Sequence, residues 1–255
     1  MLSSLQSEKK RRELNEKLIK YTLILAAAIS ILTTFGILFS ILFEAIEFFQ
    51  LRSFWYFLTG TIWSPGVANS QFGALPIFAG TFVITIIALL VAIPIGLGSA
   101  IYMSEYASPK FRDYLKPILE ILAGIPTVVY GFFAAITVAP LVVKAAAFFG
   151  LEATFNSALA SGIVMGIMII PLISSLSDDV IRAVPDSQRK AAFALGMTHG
   201  ETIKNIVIPS AMHGIISASL LALSRALGET MIVVMAAGLR PNLSWNPLED
   251  MTTVT

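Results

Sequence analysis

Two residues of opposite charge lie close together in an otherwise apolar stretch near the end of this sequence. Arg225 and Glu229 are the charged members of the run SRALGETMIVVMAAG. On a continuous helix, residues four positions apart share a face, so these two side chains could form an ion pair. A charge near the middle of a bilayer costs about 2.5–3.5 kcal/mol on insertion scales, and such residues therefore usually face a cavity or a partner.

The chemistry that this pair offers is recognition of an anion. A guanidinium group matches the oxygens of a phosphate with two parallel hydrogen bonds. In this interpretation Arg225 contacts the anion, and Glu229 holds and orients the guanidinium. The residues alone leave a second interpretation open, in which the pair is a structural ion bridge between two membrane subunits.

Other residues that could bind a metal or act as nucleophiles are scarce. The chain has no cysteine and two histidines, His199 and His213, which argues against thiolate and histidine metal sites. Asp178 and Asp179 form an acidic pair, but no further acidic residue follows at a useful helical spacing, and we interpret the pair as the end of a membrane segment. Glu120 is interpreted as a carboxylate at the membrane interface. We therefore expect neither a metal nor a cofactor.

The sequence also lacks the motifs of an enzyme. An intramembrane protease or lipid-modifying enzyme would need paired aspartates or a Ser/His pair at matching depth, and we find none. The phosphate-binding motif G-x-x-x-x-G-K-[ST] is absent as well, so the chain is not expected to hydrolyse ATP itself. Energy for any active process would come from a partner protein.

These residues belong to a strongly apolar chain. Of its 255 residues, 56% are hydrophobic and 13% are charged, whereas soluble domains carry about 25% charged residues. Several stretches are long and apolar enough to cross a bilayer as helices. The sequence predicts an all-α, polytopic membrane helix bundle, with a kink in the third span at Gly124–Pro126. The five predicted spans cover residues 21–43, 76–101, 117–143, 157–176 and 213–238.

The basic residues are distributed unevenly between the two sides of the membrane. With a cytoplasmic N-terminus, thirteen of the 17 basic residues fall in inside segments and three in outside segments, which agrees with the positive-inside rule. We therefore predict a multi-pass protein of the cytoplasmic (inner) membrane with its N-terminus in the cytoplasm. Its predicted parts are a basic cytoplasmic tail at 1–20, a first span and periplasmic loop at 21–71, and a membrane core at 72–255.

One cytoplasmic loop of this core, residues 177–212, has a helical pattern of its own. Its central part reads KAAFALGMTHGETIKNIVIP. Gly196 supplies a permissive backbone for a helix stop, and Thr198 with Glu201 forms a T-x-x-E capping box that begins a second helix. Pro209 ends the motif before the next apolar run. The loop is therefore predicted to form two short helices.

This loop resembles the EAA loop of bacterial ABC importer permeases, whose pattern is E-A-A-x3-G-x9-I-x-L-P. The resemblance implies a type-1 ABC importer permease of MetI-like fold, in which the loop docks into a groove of an ATPase subunit. The alternative is a cytosolic helical hairpin with no special purpose. The chain departs from the pattern at Lys190, where the family has an acid, and at Ile208. The implied ATPase-coupling positions are Lys190, Ala191, Ala192, Gly196, Ile206 and Pro209.

Three further stretches resemble phosphate-uptake permeases of the PstC type, in which the counterparts of Arg225 and Glu229 recur. These stretches lie at 72–106, 119–133 and 224–238 and include IPIGLGSAIYMSEY and LEILAGIPTVVYGFF. The resemblance implies phosphate as cargo and three kinds of partner. They are a sister permease of the PstA type, a dimer of ATPase subunits, and a periplasmic or lipid-anchored phosphate-binding protein.

The resemblance also has a limit at the carboxyl end. Family members have a sixth span, whereas this sequence stops at Thr255, in the loop that should precede it. A chain that ends there is expected to transport poorly or not at all. Two alternatives for the function remain, a permease for another oxyanion such as sulfate or molybdate, and an ATP-independent channel or secondary transporter.

Overall fold

A computed structural model of the chain describes residues 2–66 and 70–255, which are mostly helical. Two short strands pair antiparallel, with Trp63 opposite Phe72. The helices are α1 Leu2–Leu51, α2 Phe54–Thr59, α3 Leu75–Ile101, α4 Pro109–Ala123, α5 Thr127–Phe133, α6 Ala139–Phe148, α7 Ala158–Arg182, α8 Asp186–Ala194, α9 His199–Thr202, α10 Ile208–Leu227 and α11 Met231–Ala236. Three π-helical turns, π1 Tyr102–Tyr106, π2 Ala134–Val138 and π3 Ile203–Val207, and two strands, β1 Trp63–Ser64 and β2 Gln71–Phe72, complete the described elements.

Five helical stretches are long and apolar enough to span a membrane. The predicted all-α membrane bundle with five spans is therefore confirmed. Because adjoining helices and π-turns are continuous, some stretches combine several elements. The five are Asn15–Leu51, Leu75–Tyr106, Thr127–Phe148, Ala158–Arg182 and His199–Leu227.

The boundaries of the five predicted spans differ from those in the structure, most of all in the third and the fifth. The third span begins at Thr127 rather than at residue 117, because α4 ends at Ala123, with Gly124 as its C-cap, and Pro126 precedes α5. A proline disfavours helical backbone at the residue before it, so the expected kink is a full break between two helices. The fifth span runs from His199 to Leu227 rather than from about residue 213 to 238, so it includes part of the segment predicted as a cytoplasmic loop.

The chain divides into two compact units, which meet in sequence at Phe57 and Leu58. In the first unit, α1 begins at Leu2, so the basic tail predicted over 1–20 lies in the same helix as the first span. Aromatic rings cluster around Phe49, which packs edge to face against Phe54 at 5.2 Å and Phe57 at 5.5 Å between ring centroids. Such aromatic density is typical of a membrane–water interface. The loop predicted up to residue 71 includes 67–69, which lie outside the described residues.

In the second unit, α3 and α7 run side by side in the same direction. Small residues allow the close approach, as in other membrane helix pairs. A Cβ on Gly96 would lie 2.9 Å from the Cβ of Ile173, and one on Gly166 would lie 2.8 Å from the carbonyl oxygen of Ala88. The buried core is built around this helix pair. Its largest fully buried side chains include Ile84, Met165, Met168, Ile169 and Ile173.

The segment 239–255, predicted only as a polar end, folds back into the bundle. Helix α7 begins with amides that have no partner within the helix, a general feature of helix starts. Two of them donate to carbonyl oxygens of this segment, Ala158 N to Glu249 O at 3.1 Å and Leu159 N to Pro247 O at 2.8 Å. Met251 is completely buried in the core. The segment is therefore part of the packed structure.

Candidate functional site

Helix α10 ends at Leu227, between the two charged residues that the sequence placed on one helical face. Gly228 follows the last helical residue, and α11 begins only at Met231. Among the described residues, no ion pair joins Arg225 to Glu229. The expected i, i+4 pair is thus wrong, because glycine is a poor helix former and ends the helix before Glu229 is reached.

Glu229 instead caps the next helix. Its carboxylate accepts hydrogen bonds from the backbone N–H groups of Met231 at 3.1 Å and Ile232 at 3.3 Å. A negative charge is favourable at this position, since the first amides of a helix carry partial positive charge. The Glu229 residue is buried, and its carbonyl oxygen accepts a hydrogen bond from the Thr255 hydroxyl at 3.1 Å. The carboxylate is therefore bound to α11 and holds the break between the two helices.

Arg225 lies in the last turn of α10 and is exposed. Its positive charge suits the carbonyl end of a helix. Within the part of the chain that the structure describes, the guanidinium has no hydrogen bond or ion pair. The guanidinium donors of Arg225 are thus available to a ligand or partner.

The polar loop forms the first of the two short helices that the sequence predicts, α8, whereas the second prediction is wrong. Helix α9 continues through π3 into α10 as the start of the fifth stretch, and Pro209 does not interrupt it. Gly196 has φ +83°, a left-handed conformation that glycine adopts without steric cost. The capping box is present, with Glu201 Oε2 accepting from Thr198 N at 2.8 Å and Thr198 Oγ1 accepting from Glu201 N at 3.4 Å. The conformation of the loop between α8 and α9 is therefore determined by residues that are close together in the sequence.

Four of the six motif positions line one groove. Ala191 and Ala192 on α8 face Ile206 and Pro209 across a cavity of about 520 Å³. Gly196 forms the turn that brings the two walls together. The remaining lining residues are Gln188, Leu195, Met197, Asn205 and Ser210, and Lys190 is exposed on α8 without lining the groove.

Two buried carboxylates, which the sequence reasoning missed, bind this loop region to the bundle. The Asp178 side chain is 1% exposed and accepts two hydrogen bonds from Arg112 of α4, at 3.1 Å from Nε and 2.7 Å from Nη2. The Glu105 side chain is 6% exposed and accepts from Arg189 of α8 at 2.8 Å. From the sequence we interpret Asp178 only as the end of a span. The signal that could indicate its ion pair is an acid at the end of an apolar helix, together with basic residues in neighbouring segments.

The acidic pair at the end of α7 allows a matched test of these contacts. We expect Asp178→Ala to destabilise the protein by about 3 kcal/mol, because it leaves the partly buried Arg112 charge without its partner. Asp179→Ala should cost at most about 1 kcal/mol, since the Lys116–Asp179 bridge of 2.5 Å is partly exposed. Thermal unfolding of the detergent-solubilised variants measures both effects, and equal shifts would contradict the assignment of Asp178 as the structural acid.

Comparison with known proteins finds sequence similarity to components of transport systems. A family model described as "Binding-protein-dependent transport system inner membrane component" matches residues 92–245. A relative from Bacillus subtilis, named probable ABC transporter permease protein YqgH, is 36% identical over 199 residues, which cover 78% of this chain. This chain spans 63% of the length of that relative.

A second relative matches more of the chain. A protein from Mesorhizobium japonicum, named phosphate transport system permease protein PstC, is 34% identical over 249 residues. The match covers 90% of this chain and 74% of the relative. Among solved structures, a chain from inward-facing crystals of the MetNI methionine ABC transporter aligns with a TM-score of 0.47 and 18% identity, over 65% of this chain and 73% of that chain.

Proposed function

The chain belongs to the family of binding-protein-dependent transport system inner membrane components, and we propose that it is the permease subunit of an ATP-driven importer of inorganic phosphate. Its multi-pass membrane architecture, with five apolar helices, is that of an inner-membrane protein. Phosphate as the cargo is supported by the similarity, over 90% of the chain, to a relative named as a phosphate transport permease. Sulfate or molybdate is the alternative cargo that the experiment must distinguish from phosphate.

The proposed importer needs partners, because the chain has no ATP-binding motif. We place a dimer of ATPase subunits at the loop that contains α8 and α9, a sister permease of the PstA type beside the bundle, and a phosphate-binding protein on the opposite side. The groove lined by Ala191, Ala192, Ile206 and Pro209 supports the ATPase contact, since it is an apolar concave surface formed by the motif positions. Lys190 lies beside this groove as an exposed cation.

The anion path in this proposal runs past Arg225. Its guanidinium donates no hydrogen bond to the described residues and sits next to a helix break, and breaks in membrane helices typically line a cavity or a substrate route. Glu229 has a different role from the one expected from the sequence. It stabilises the break by capping α11, so it shapes the path without neutralising Arg225.

The orientation is testable with single cysteines, because the chain has none. We propose a cytoplasmic N-terminus, which places Ser244 outside the cell and the exposed Lys204 inside. An impermeant thiol reagent added to intact cells should label Ser244→Cys and leave Lys204→Cys unlabelled until the membrane is permeabilised. The reverse labelling pattern would contradict the proposed orientation.

The loop is expected to fail as an ATPase contact when Gly196 is replaced. A residue other than glycine in the left-handed conformation costs about 1–2 kcal/mol, so Gly196→Asp should distort the turn between α8 and α9. Gly200→Asp is the matched control, because Gly200 also has open space around a Cβ but not the left-handed φ.

We expect the ATPase to co-purify with the Gly200→Asp complex but not with the Gly196→Asp complex, although both chains insert into the membrane. Pull-down through a tag on the permease measures this difference. If the Gly196→Asp protein takes up phosphate at the normal rate, coupled to ATP hydrolysis, the proposed role of the loop as the ATPase contact is contradicted.

The proposed function as a whole is tested by growth. The full-length gene, expressed with its candidate partner genes, should restore growth on low phosphate to a strain that lacks its own high-affinity phosphate permease. Restoration of growth on limiting sulfate or molybdate instead would assign the other cargo class.

A further inference from the structure

The loop helix α8 is attached to the end of the second span through Arg189, whose guanidinium contacts four oxygen atoms. Arg189 donates from Nη2 to Glu105 Oε1 at 2.8 Å and to Ile181 O at 3.0 Å. From Nη1 it donates to Val184 O and reaches Asp186 Oδ1 at 3.5 Å. Its side chain is 16% exposed. One guanidinium thus joins α8 to the ends of both α7 and the second span.

The acid that receives this arginine lies in a specialised part of its helix. Glu105 belongs to π1, the widened turn that ends the second span, where Ala107 N donates to Tyr102 O at 2.9 Å. Single π-helical turns occur frequently at functional sites in helices. The Glu105 carboxylate is almost completely buried, so its ion pair with Arg189 is little screened by solvent.

A second contact joins the loop to the same turn. The His199 Nε2 atom lies 3.3 Å from the carbonyl oxygen of Glu105. The imidazole ring packs edge-on against Tyr106 of π1, with centroids 5.1 Å apart, and parallel to Phe193 of α8 at 6.2 Å. Helix α8 and the start of the fifth stretch at α9 therefore both contact π1, and α8 cannot shift without moving this turn or breaking the ion pair.

The opposite end of the same span contacts the region of the helix break. Thr81 of α3 accepts a hydrogen bond from Val254 N at 3.0 Å, and Gly80 packs directly against the backbone of Thr252. The same segment reaches Glu229 through the Thr255 hydroxyl. A continuous span thus connects the loop with the segment that contacts the break beside Arg225.

We propose that Arg189 is a positioning residue that couples movement of the loop to α3, and through α3 to the anion path. This inference rests on the proposed function, because it assumes that an ATPase moves the loop. We refer to the ion pair between Arg189 and Glu105 as the clamp. With the clamp intact, each ATPase cycle displaces α3. Without it, the loop moves and α3 does not follow.

Coupling is measured as the amount of ATP hydrolysed for each phosphate taken up. The full complex, with its sister permease, ATPase and binding protein, is placed in vesicles, and ATP hydrolysis and uptake of labelled phosphate are measured on the same vesicles. We expect Arg189→Gln to assemble and hydrolyse ATP, with about tenfold more ATP consumed per phosphate than in the unmodified complex. Glu105→Gln keeps the size of the side chain and should have the same effect.

Two further variants separate coupling from mere structural support. Arg182→Gln is the matched control, because Arg182 is an exposed arginine at the end of α7, and it should leave the ratio unchanged. Arg189→Lys keeps a positive charge opposite Glu105 and the ability to donate to the nearby carbonyl oxygens, so it should return the ratio at least halfway to that of the unmodified complex. An unchanged ratio in both Arg189→Gln and Glu105→Gln would overturn the inference. Failure of the unmodified complex to transport phosphate would instead overturn the proposed function.

Discussion

Replacement of Arg225 by glutamine is expected to reduce phosphate uptake at least about 100-fold, because the loss of two charge-assisted hydrogen bonds to the anion costs about 3 kcal/mol. The guanidinium is exposed in the last turn of α10, next to the break at Gly228, and has no internal hydrogen bond among the described residues. Glutamine retains a similar length and can donate, but it carries no charge.

The measurement is initial uptake of labelled phosphate by cells with equal amounts of assembled complex. Lys144→Gln is the matched control, since Lys144 is an exposed basic residue in α6, near the carboxyl end of the third span. It should retain nearly normal uptake. If Arg225→Gln transports normally but the complex dissociates more readily from its sister permease, the structural interpretation of Arg225 is correct.

Replacement of Gly80 by alanine is expected to destabilise the protein by at least about 3 kcal/mol, through loss of Met251 burial and of hydrogen bonds to the start of α7. A Cβ at Gly80 would overlap the carbonyl group of Thr252. The segment 239–255 must then move away from α3. The amides of Ala158 and Leu159 lose their acceptors if it does.

Gly98→Ala is the matched control within the same helix. No atom lies within 4 Å of a Cβ built on Gly98, so alanine should be neutral or slightly stabilising there, by up to about 1 kcal/mol. Thermal unfolding in detergent, together with the rate at which a protease cleaves after residue 239, distinguishes the two variants. Equal melting temperatures and equal cleavage rates would show that the segment is not held against α3.

The features that the sequence predicted well are those that depend on neighbouring residues. The capping box at Thr198 and Glu201 and the turn at Gly196 involve residues within a few positions of one another, so the local pattern contains all the necessary information. The apolar spans were predictable for a similar reason, because length and hydropathy are properties of one segment.

The features that were missed depend on long-range packing or on competition between local structures. Arg112 and Asp178 are 66 positions apart, and only the packing of α4 on α7 brings them together. Glu229 lies beyond the end of α10, which Gly228 caps, and its carboxylate accepts hydrogen bonds from amides of α11 instead of pairing with Arg225. The burial of Met251 could not be predicted either, because it depends on a surface formed by distant helices.

The most direct test of the proposed function is phosphate transport by the reconstituted complex. The full-length protein, its sister permease, the ATPase and the binding protein are incorporated into vesicles, with ATP on the ATPase side and labelled phosphate with the binding protein on the other. We expect phosphate to accumulate only with hydrolysable ATP, and excess sulfate or molybdate should not reduce its uptake. Accumulation of labelled sulfate or molybdate in place of phosphate, or equilibration of phosphate without ATP, would contradict the account.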